Sequence, residues 1–320
     1  MDAMGRVGVL GLGAMGQPVA ARLLERGFAV TVAPHRNPAP AEALARRGAR
    51  VVRSPAEVAA GADAVVVLVP DAPEVEEVAF GPGGVVEATG WEGVLVVMST
   101  ISPLAAQRIA ARLAERRVTM IDAPVSGGPA RAATGELTVM VGGDDATVAR
   151  ARPVLEAVGT RIFHVGPVGM GQVVKLCNNL LIGIIMVANS EAFTFGVRAG
   201  VRADVLQQVL SAATGQNFLL DRWVPQTLLQ DRYEPGFGLA LMLKDLNLVT
   251  AAARELGVPL FEGQLAQQLF TLAHGLGYGQ QDYSAVSLLY QQAADVVIAT
   301  GRPRRGAEAG APWRVRKEGE

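Results

Sequence analysis

Lys175, Asn178 and Asn179 stand at i, i+3 and i+4, so a helix through them places all three side chains on one face. An ammonium beside amides suits chemistry at a carbonyl oxygen. When hydride reaches the carbon, negative charge grows on the oxygen; a cation that can also release a proton stabilises that charge and completes the alcohol. Oxidation runs the same steps backward, and burial would move the Lys175 pKa down toward the working pH. Composition singles out the same residue. Of 29 basic residues, all but Lys175, Lys244 and Lys317 are arginine. A coding bias explains the excess of arginine, yet arginine cannot lose its proton in a protein and lysine can.

A second constellation lies near the start. Val7 to Leu10 runs into Gly11-Leu12-Gly13-Ala14-Met15-Gly16. Gly11 suits a tight turn, Gly13 lets a pyrophosphate approach the backbone, and Gly16 lets the following helix pack on the strand. The open N–H groups of that helix start favour phosphate, so the motif points to a dinucleotide. NAD enzymes usually present an acid to the ribose after the second strand, but here the residues are Ala33-Pro34-His35-Arg36-Asn37, with no acid before Glu42. Arg36 could meet a 2′-phosphate, which favours NADP over NAD; the other reading is a solvent-facing arginine in an arginine-rich chain.

Ser126-Gly127-Gly128 has the composition of a carboxylate cradle, one hydroxyl with backbone N–H groups left open by missing side chains. The three histidines, His35, His164 and His274, are far apart and show no metal-ligand spacing, so no metal is expected.

These groups need elements to hold them. Residues 6–10, 29–32, 64–69, 93–98, 118–121 and 138–141 read as short apolar strands, and residues 15–26 and 103–116 between them have helical period. Continuous apolar strands alternating with helices predict a doubly wound, mostly parallel α/β sheet of Rossmann type. From residue 169 the pattern turns helical: 173–197 as one long interdomain helix, then 203–213, 239–256 and 283–300, with no strand. The expected organisation is a Rossmann domain over 1–165, an all-α domain over 166–300 and a polar tail over 301–320.

The formal net charge of −1 gives no electrostatic case for nucleic acid or a membrane surface. The longest apolar stretch, 180–188, is too short to span a bilayer. A single cysteine, Cys177, allows no intramolecular disulfide, and a cytoplasmic location is expected.

Five segments in order carry a resemblance: the N-terminal glycines, Asp122 to Gly128 followed by Gly135 to Gly143, Gly169 to Asn179, Lys244-Asp245-Leu246, and Gly277 to Asp282. Together they resemble the β-hydroxyacid dehydrogenases, which include 3-hydroxyisobutyrate dehydrogenase and tartronate semialdehyde reductase. The resemblance covers about residues 5–300. It implies Lys175 as the catalytic lysine, with Asn179 and Asn178 at the substrate. Ser126, Gly127 and Gly128 fall on the substrate loop, and Phe237 on the closing wall. Val69, Pro70, Thr100 and Lys244 fall on further cofactor contacts. It also implies a homodimer or homotetramer. Arg131 stands where relatives commonly have a small residue; it either touches substrate or points to solvent. The expected activity is hydride transfer between NAD(P) and a small carboxylate-bearing hydroxy acid or semialdehyde. The rival readings are an imine reductase-like enzyme, against which Lys175 argues, and a noncatalytic nucleotide-binding module.

Lys175→Ala is expected to lose several orders of magnitude in turnover while keeping nucleotide affinity. Lys175→Arg should fail as well, because the charge stays and the proton does not leave. Steady-state rates check both, and near-normal turnover in the arginine variant would sink the proton-transfer role.

Overall fold

The computed structural model describes residues 5–302; the C-terminal stretch beyond, with Lys317 and most of the predicted tail, lies outside the described residues. The chain divides into two compact units, Met1–Cys177 and Asn178–Glu320. The division falls inside a continuous helix, Met170–Arg198.

The first unit is a sheet of nine strands: β1 Arg6–Leu10, β2 Ala29–Val32, β3 Arg50–Val51, β4 Ala64–Val67, β5 Val94–Val97, β6 Thr119–Asp122, β7 Val125–Ser126, β8 Leu137–Gly142 and β9 Gly159–Gly166. Their order is β3-β2-β1-β4-β5-β6-β8-β7, with β9 on β8. Pairings from β3 through β6 and between β8 and β9 are parallel; β8 runs antiparallel to β6 and β7. The Rossmann expectation holds.

The valine-rich strands form because both faces of the sheet are covered. Val7, Val9, Ala64, Val66, Val94 and Val96 belong to one buried cluster, with helices Gly16–Glu25 and Asp145–Val158 packed on it. The alternate residues Val65, Val67, Leu95 and Val97 belong to the other, with Pro103–Ala114. Each buried valine contributes roughly 1.5–3 kcal/mol, so a one-residue slip gains nothing by exchanging faces but breaks the ladder and misaligns the strand ends. Three strands escaped the sequence reading. β3 and β7 have two residues each, and β9 is an edge strand whose residues after Gly159 are exposed or half-buried, so none shows an apolar run.

The second unit is helical among the described residues, apart from an isolated bridge between Gly238 and Asp282. Its helices after the long one are Ala203–Ala212, Phe218–Arg222, Leu239–Glu255, Phe261–Gly275 and Ser287–Ala293, around buried Phe193, Phe270 and Tyr283. The helix expected over 283–300 is shorter. It opens as a 3-10 turn, Tyr283–Val286, and ends at Ala293. Asp295 takes a left-handed backbone (φ 48°), and the Val296 N–H turns back to the Gln291 carbonyl at 3.0 Å.

The helix Met170–Arg198 is long and apolar enough, by length and composition, to cross a membrane, with half of its most apolar window buried in protein. The sequence reading missed this because it weighed only the uninterrupted stretch 180–188. Gln172, Lys175, Asn179, Asn189, Ser190 and Thr194 on that helix are all buried, and Gln172, Asn179, Asn189 and Ser190 make side-chain hydrogen bonds, as in a core helix.

Candidate active site

Strand order reverses between β1 and β4, and the Gly11–Gly16 loop leaves the carboxyl end of β1 at that point. A crevice at such a switch point is where open α/β sheets bind nucleotides. The three glycines answer to three constraints. Gly11 has φ +88°, and a Cβ there would lie 2.3 Å from the Leu68 carbonyl oxygen. A Cβ on Gly16 would lie 1.8 Å from the Gly11 carbonyl oxygen, so this glycine lets the helix close on the turn. A Cβ on Gly13 meets nothing within 4 Å; it is the open cradle. Leu12 and Met15 pack partly on the core beneath, while Gly13 and Ala14 are exposed. The helix begins at Gly16 with no side-chain cap from Met15, as a phosphate-binding start requires. The residues present thus fit a dinucleotide.

Other expected cofactor residues occupy the same carboxyl edge. Val69 is half-buried just beyond β4, its N–H donating to the Ser99 hydroxyl at 2.9 Å, and Pro70 next to it is exposed. Thr100 is half-buried beyond β5, and Ser102 caps the next helix by accepting from the Ala105 N–H, which leaves the capping role away from Thr100. Arg36 lies exposed in the bend after β2, and Ala33, where an acid would stand, is buried.

Asp122 ends β6 and is 0% exposed. Its carboxylate accepts the Gly169 N–H at 2.7 Å and the Gln172 N–H at 2.8 Å, across the start of the helix that carries Lys175. Burial pushes the Asp122 carboxyl up to about 6, partly offset by these backbone donors. Beyond it, Ser126 is half-buried in β7, opposite Thr138. Gly128 has φ +70° and open space at its Cβ. Gly127 differs from the sequence argument: a Cβ there would sit 3.0 Å from the Arg131 Cβ and Cδ atoms and 3.1 Å from Leu137. Its glycine is required by φ +138° and by the Arg131 stem. Arg131 itself is exposed.

Lys175 is buried at 9% exposure on the first unit's part of the long helix. On the following turn Asn178 is half-buried and donates to the Asn179 side-chain oxygen at 3.0 Å. Asn179 is 1% exposed and donates in turn to Asp245. Lys244 pairs with the other Asp245 oxygen at 3.0 Å. Asp245 thus orients Asn179 and holds Lys244.

In the second unit Phe237 is half-buried against Tyr283, ring centroids 6.0 Å apart. Its N–H donates to Asp282, which is 1% exposed. That carboxylate also accepts from Gly236 N–H at 3.1 Å, Trp223 Nε1 at 2.9 Å, and the Ser284 N–H and hydroxyl. Asn217 caps Phe218–Arg222 and exchanges amide hydrogen bonds with Asn189. Sequence reasoning quoted Asp122 and Asp282 within motifs without giving them roles, and it missed Gln172. An acid ending a strand, and an acid two residues before a serine, were the available signals.

Two family models match the chain: the NAD binding domain of 6-phosphogluconate dehydrogenase over residues 6–166, and the NAD-binding domain of NADP-dependent 3-hydroxyisobutyrate dehydrogenase over residues 169–290. Among curated relatives, 2-(hydroxymethyl)glutarate dehydrogenase of Eubacterium barkeri is 36% identical, over 93% of this chain and 98% of that protein. An NAD-dependent L-serine dehydrogenase of Pseudomonas aeruginosa is 37% identical, over 90% and 98%. A solved 3-hydroxyisobutyrate dehydrogenase from Salmonella typhimurium superposes with a TM-score of 0.80 at 37% identity, covering 89% of this chain and 99% of that one. Imine reductases at 19–23% identity share the fold alone.

The glycine contacts separate folding from binding. Gly16→Ala is expected to lower the melting temperature, since overpacking against backbone costs about 1–3 kcal/mol or more. Gly13→Ala should melt near wild type and bind the reduced nicotinamide dinucleotide, NADH or NADPH, more weakly in a fluorescence titration. Equal melting losses for both variants would refute this division of roles.

Proposed function

The chain belongs to the β-hydroxyacid dehydrogenase family, a nicotinamide-dependent oxidoreductase of small hydroxy acids, and from that premise we propose that it uses NADP on a substrate carrying a carboxylate, with Lys175 moving the proton. The nicotinamide, when bound, supplies or accepts the hydride. The carrying observation is a buried lysine in a chain whose 29 basic residues are arginine at all but three positions, on the same helical face as a buried Asn179. Lys175 gives its proton to the substrate oxygen in reduction and takes it back in oxidation. Asn179, fixed by Asp245, donates to that same oxygen. Ser126 and the backbone at Gly127 and Gly128 receive the carboxylate, and Phe237, held by Asp282, walls the substrate. The single cysteine supports a reducing, cytoplasmic compartment. Phe195, Phe261 and Leu265 of the helical unit are exposed at 72%, 76% and 60%, which supports a homodimer or homotetramer; light scattering measures the number of copies.

Arg36 is the NADP determinant in this reading, because no acid follows β2 and the arginine is exposed there. Arg36→Ala should weaken NADPH binding and leave NADH almost unchanged. A wild type that prefers NADH, or equal losses for both nucleotides, overturns the assignment; the NAD-dependent serine dehydrogenase relative makes that comparison necessary.

The carboxylate end is tested with an acid semialdehyde and a neutral aldehyde of the same size. A charge-assisted hydrogen bond is worth about 1.5–3 kcal/mol, so Ser126→Ala should raise KM for the acid roughly 10- to 150-fold. The neutral aldehyde should change far less. Equal losses would mean that the loop shapes the site without recognising the carboxylate.

A further inference from the structure

Most helices in this chain that have a side-chain cap take it from the preceding residue: Ser54, Asp71, Ser102, Asp144 and Asn217 each accept from an N–H within the first turn. Met170–Arg198 is held differently. The residue before it and its first turn donate to Asp122, 47 and 50 positions earlier in the chain, from the Gly169 and Gln172 N–H groups respectively. Both Asp122 and Gln172 are 0% exposed. Gln172 then reaches a third element: its side-chain nitrogen donates to the Ser99 carbonyl at 2.9 Å, and its side-chain oxygen accepts the Ile101 N–H at 3.0 Å. These two bonds bracket Thr100.

The surroundings are shaped to keep the carboxylate in place. A Cβ on Gly142 would lie 2.4 Å from one Asp122 oxygen, and a Cβ on Gly171 would lie 2.7 Å from the other. A local cap would satisfy the helix start without burying a charge. A buried carboxylate costs stability, visible in its raised pKa of about 6, and what it adds is a fixed position of the helix against the sheet. Lys175 is one turn beyond Gln172 on that helix.

We propose that Asp122 and Gln172 are positioning residues for hydride transfer, tying the turn that carries Lys175 to the end of β6 and to the 99–101 loop beside the nucleotide. Proton and hydride must arrive at neighbouring atoms of one substrate, so a displacement of about 1 Å in the lysine turn lowers the rate without abolishing binding. The inference rests on the reading of Lys175 above.

The test uses Asp122→Asn in the full chain. The asparagine has nearly the same size, but its amide nitrogen faces one of the two N–H donors and cannot accept from it. In the enzyme without nucleotide, hydrogen exchange over residues 169–176 should quicken by about tenfold or more. With substrate, kcat should fall about 10- to 100-fold while KM and nucleotide affinity move less than about threefold. The isotope effect on kcat with 4-deuterated NADPH should rise as hydride transfer becomes limiting. Gln172→Met, which removes both loop bonds and keeps Asp122, should give the same split and decides the matter if the asparagine variant does not fold. Unchanged kcat in either folded variant overturns the proposal, as does a parallel loss of kcat, KM, nucleotide affinity and melting temperature. Turnover surviving in Lys175→Ala would instead remove the underlying reading, so the two failures are distinguishable.

Discussion

A parallel sheet covered on both faces has nowhere to do chemistry except at its strand ends. Here both faces of β4 and β5 are fully buried, so no side chain within those strands can meet a ligand. The carboxyl ends are different, because the chain must leave each strand and turn back into a helix. Gly11–Gly16 leaves β1, Val69 and Pro70 follow β4, Ser99 to Ile101 follow β5, and Asp122 closes β6. The cofactor residues assigned in the first unit lie in these turns or, as with Arg36, in the turn after β2, and the substrate loop Ser126–Gly128 begins within β7, the short strand that follows β6. The position of the site is therefore a consequence of the saturated hydrogen-bond ladder and the two covered faces.

The turns alone would be imprecise, and buried carboxylates stiffen them. Asp122 fastens the helix of Lys175, Asp245 fastens Asn179 and Lys244, and Asp282 gathers the 223–237 segment with Phe237. Each acid is nearly inaccessible to solvent, yet each is met by backbone N–H groups, amides or a lysine. A buried carboxylate left without partners costs several kcal/mol, so these arrangements form whole or not at all.

Small residues play the complementary part. Gly142 and Gly171 leave room for the Asp122 oxygens, Gly16 leaves room for the Gly11 carbonyl, and Gly13 leaves room for a ligand. The same residue type thus serves a charge, a turn and a cofactor, and only its neighbours distinguish the three uses.

Much of this was legible in the residues. Strands with alternate burial on two faces leave a run of valines, the dinucleotide turn leaves glycines at fixed spacing, and Lys175 stands out as a lysine in an arginine-rich chain. These are local signals, set by side-chain period and backbone freedom within a dozen residues. The short strands β3 and β7 and the exposed edge β9 left no such trace, since their pairing comes from the partner strand rather than their own apolar pattern. The partners of Asp122, Asp245 and Asp282 were equally silent, because an acid in sequence looks the same whether it faces water or N–H groups fifty residues away. Even Gly127 owes its necessity to a backbone angle of φ +138° and a close Arg131 stem that composition does not reveal. Sequence determined which groups could react and which backbone turns could hold them; the tertiary structure decided which acids are desolvated and what each one holds, because desolvation depends on everything packed around a group and not on its neighbours in the chain.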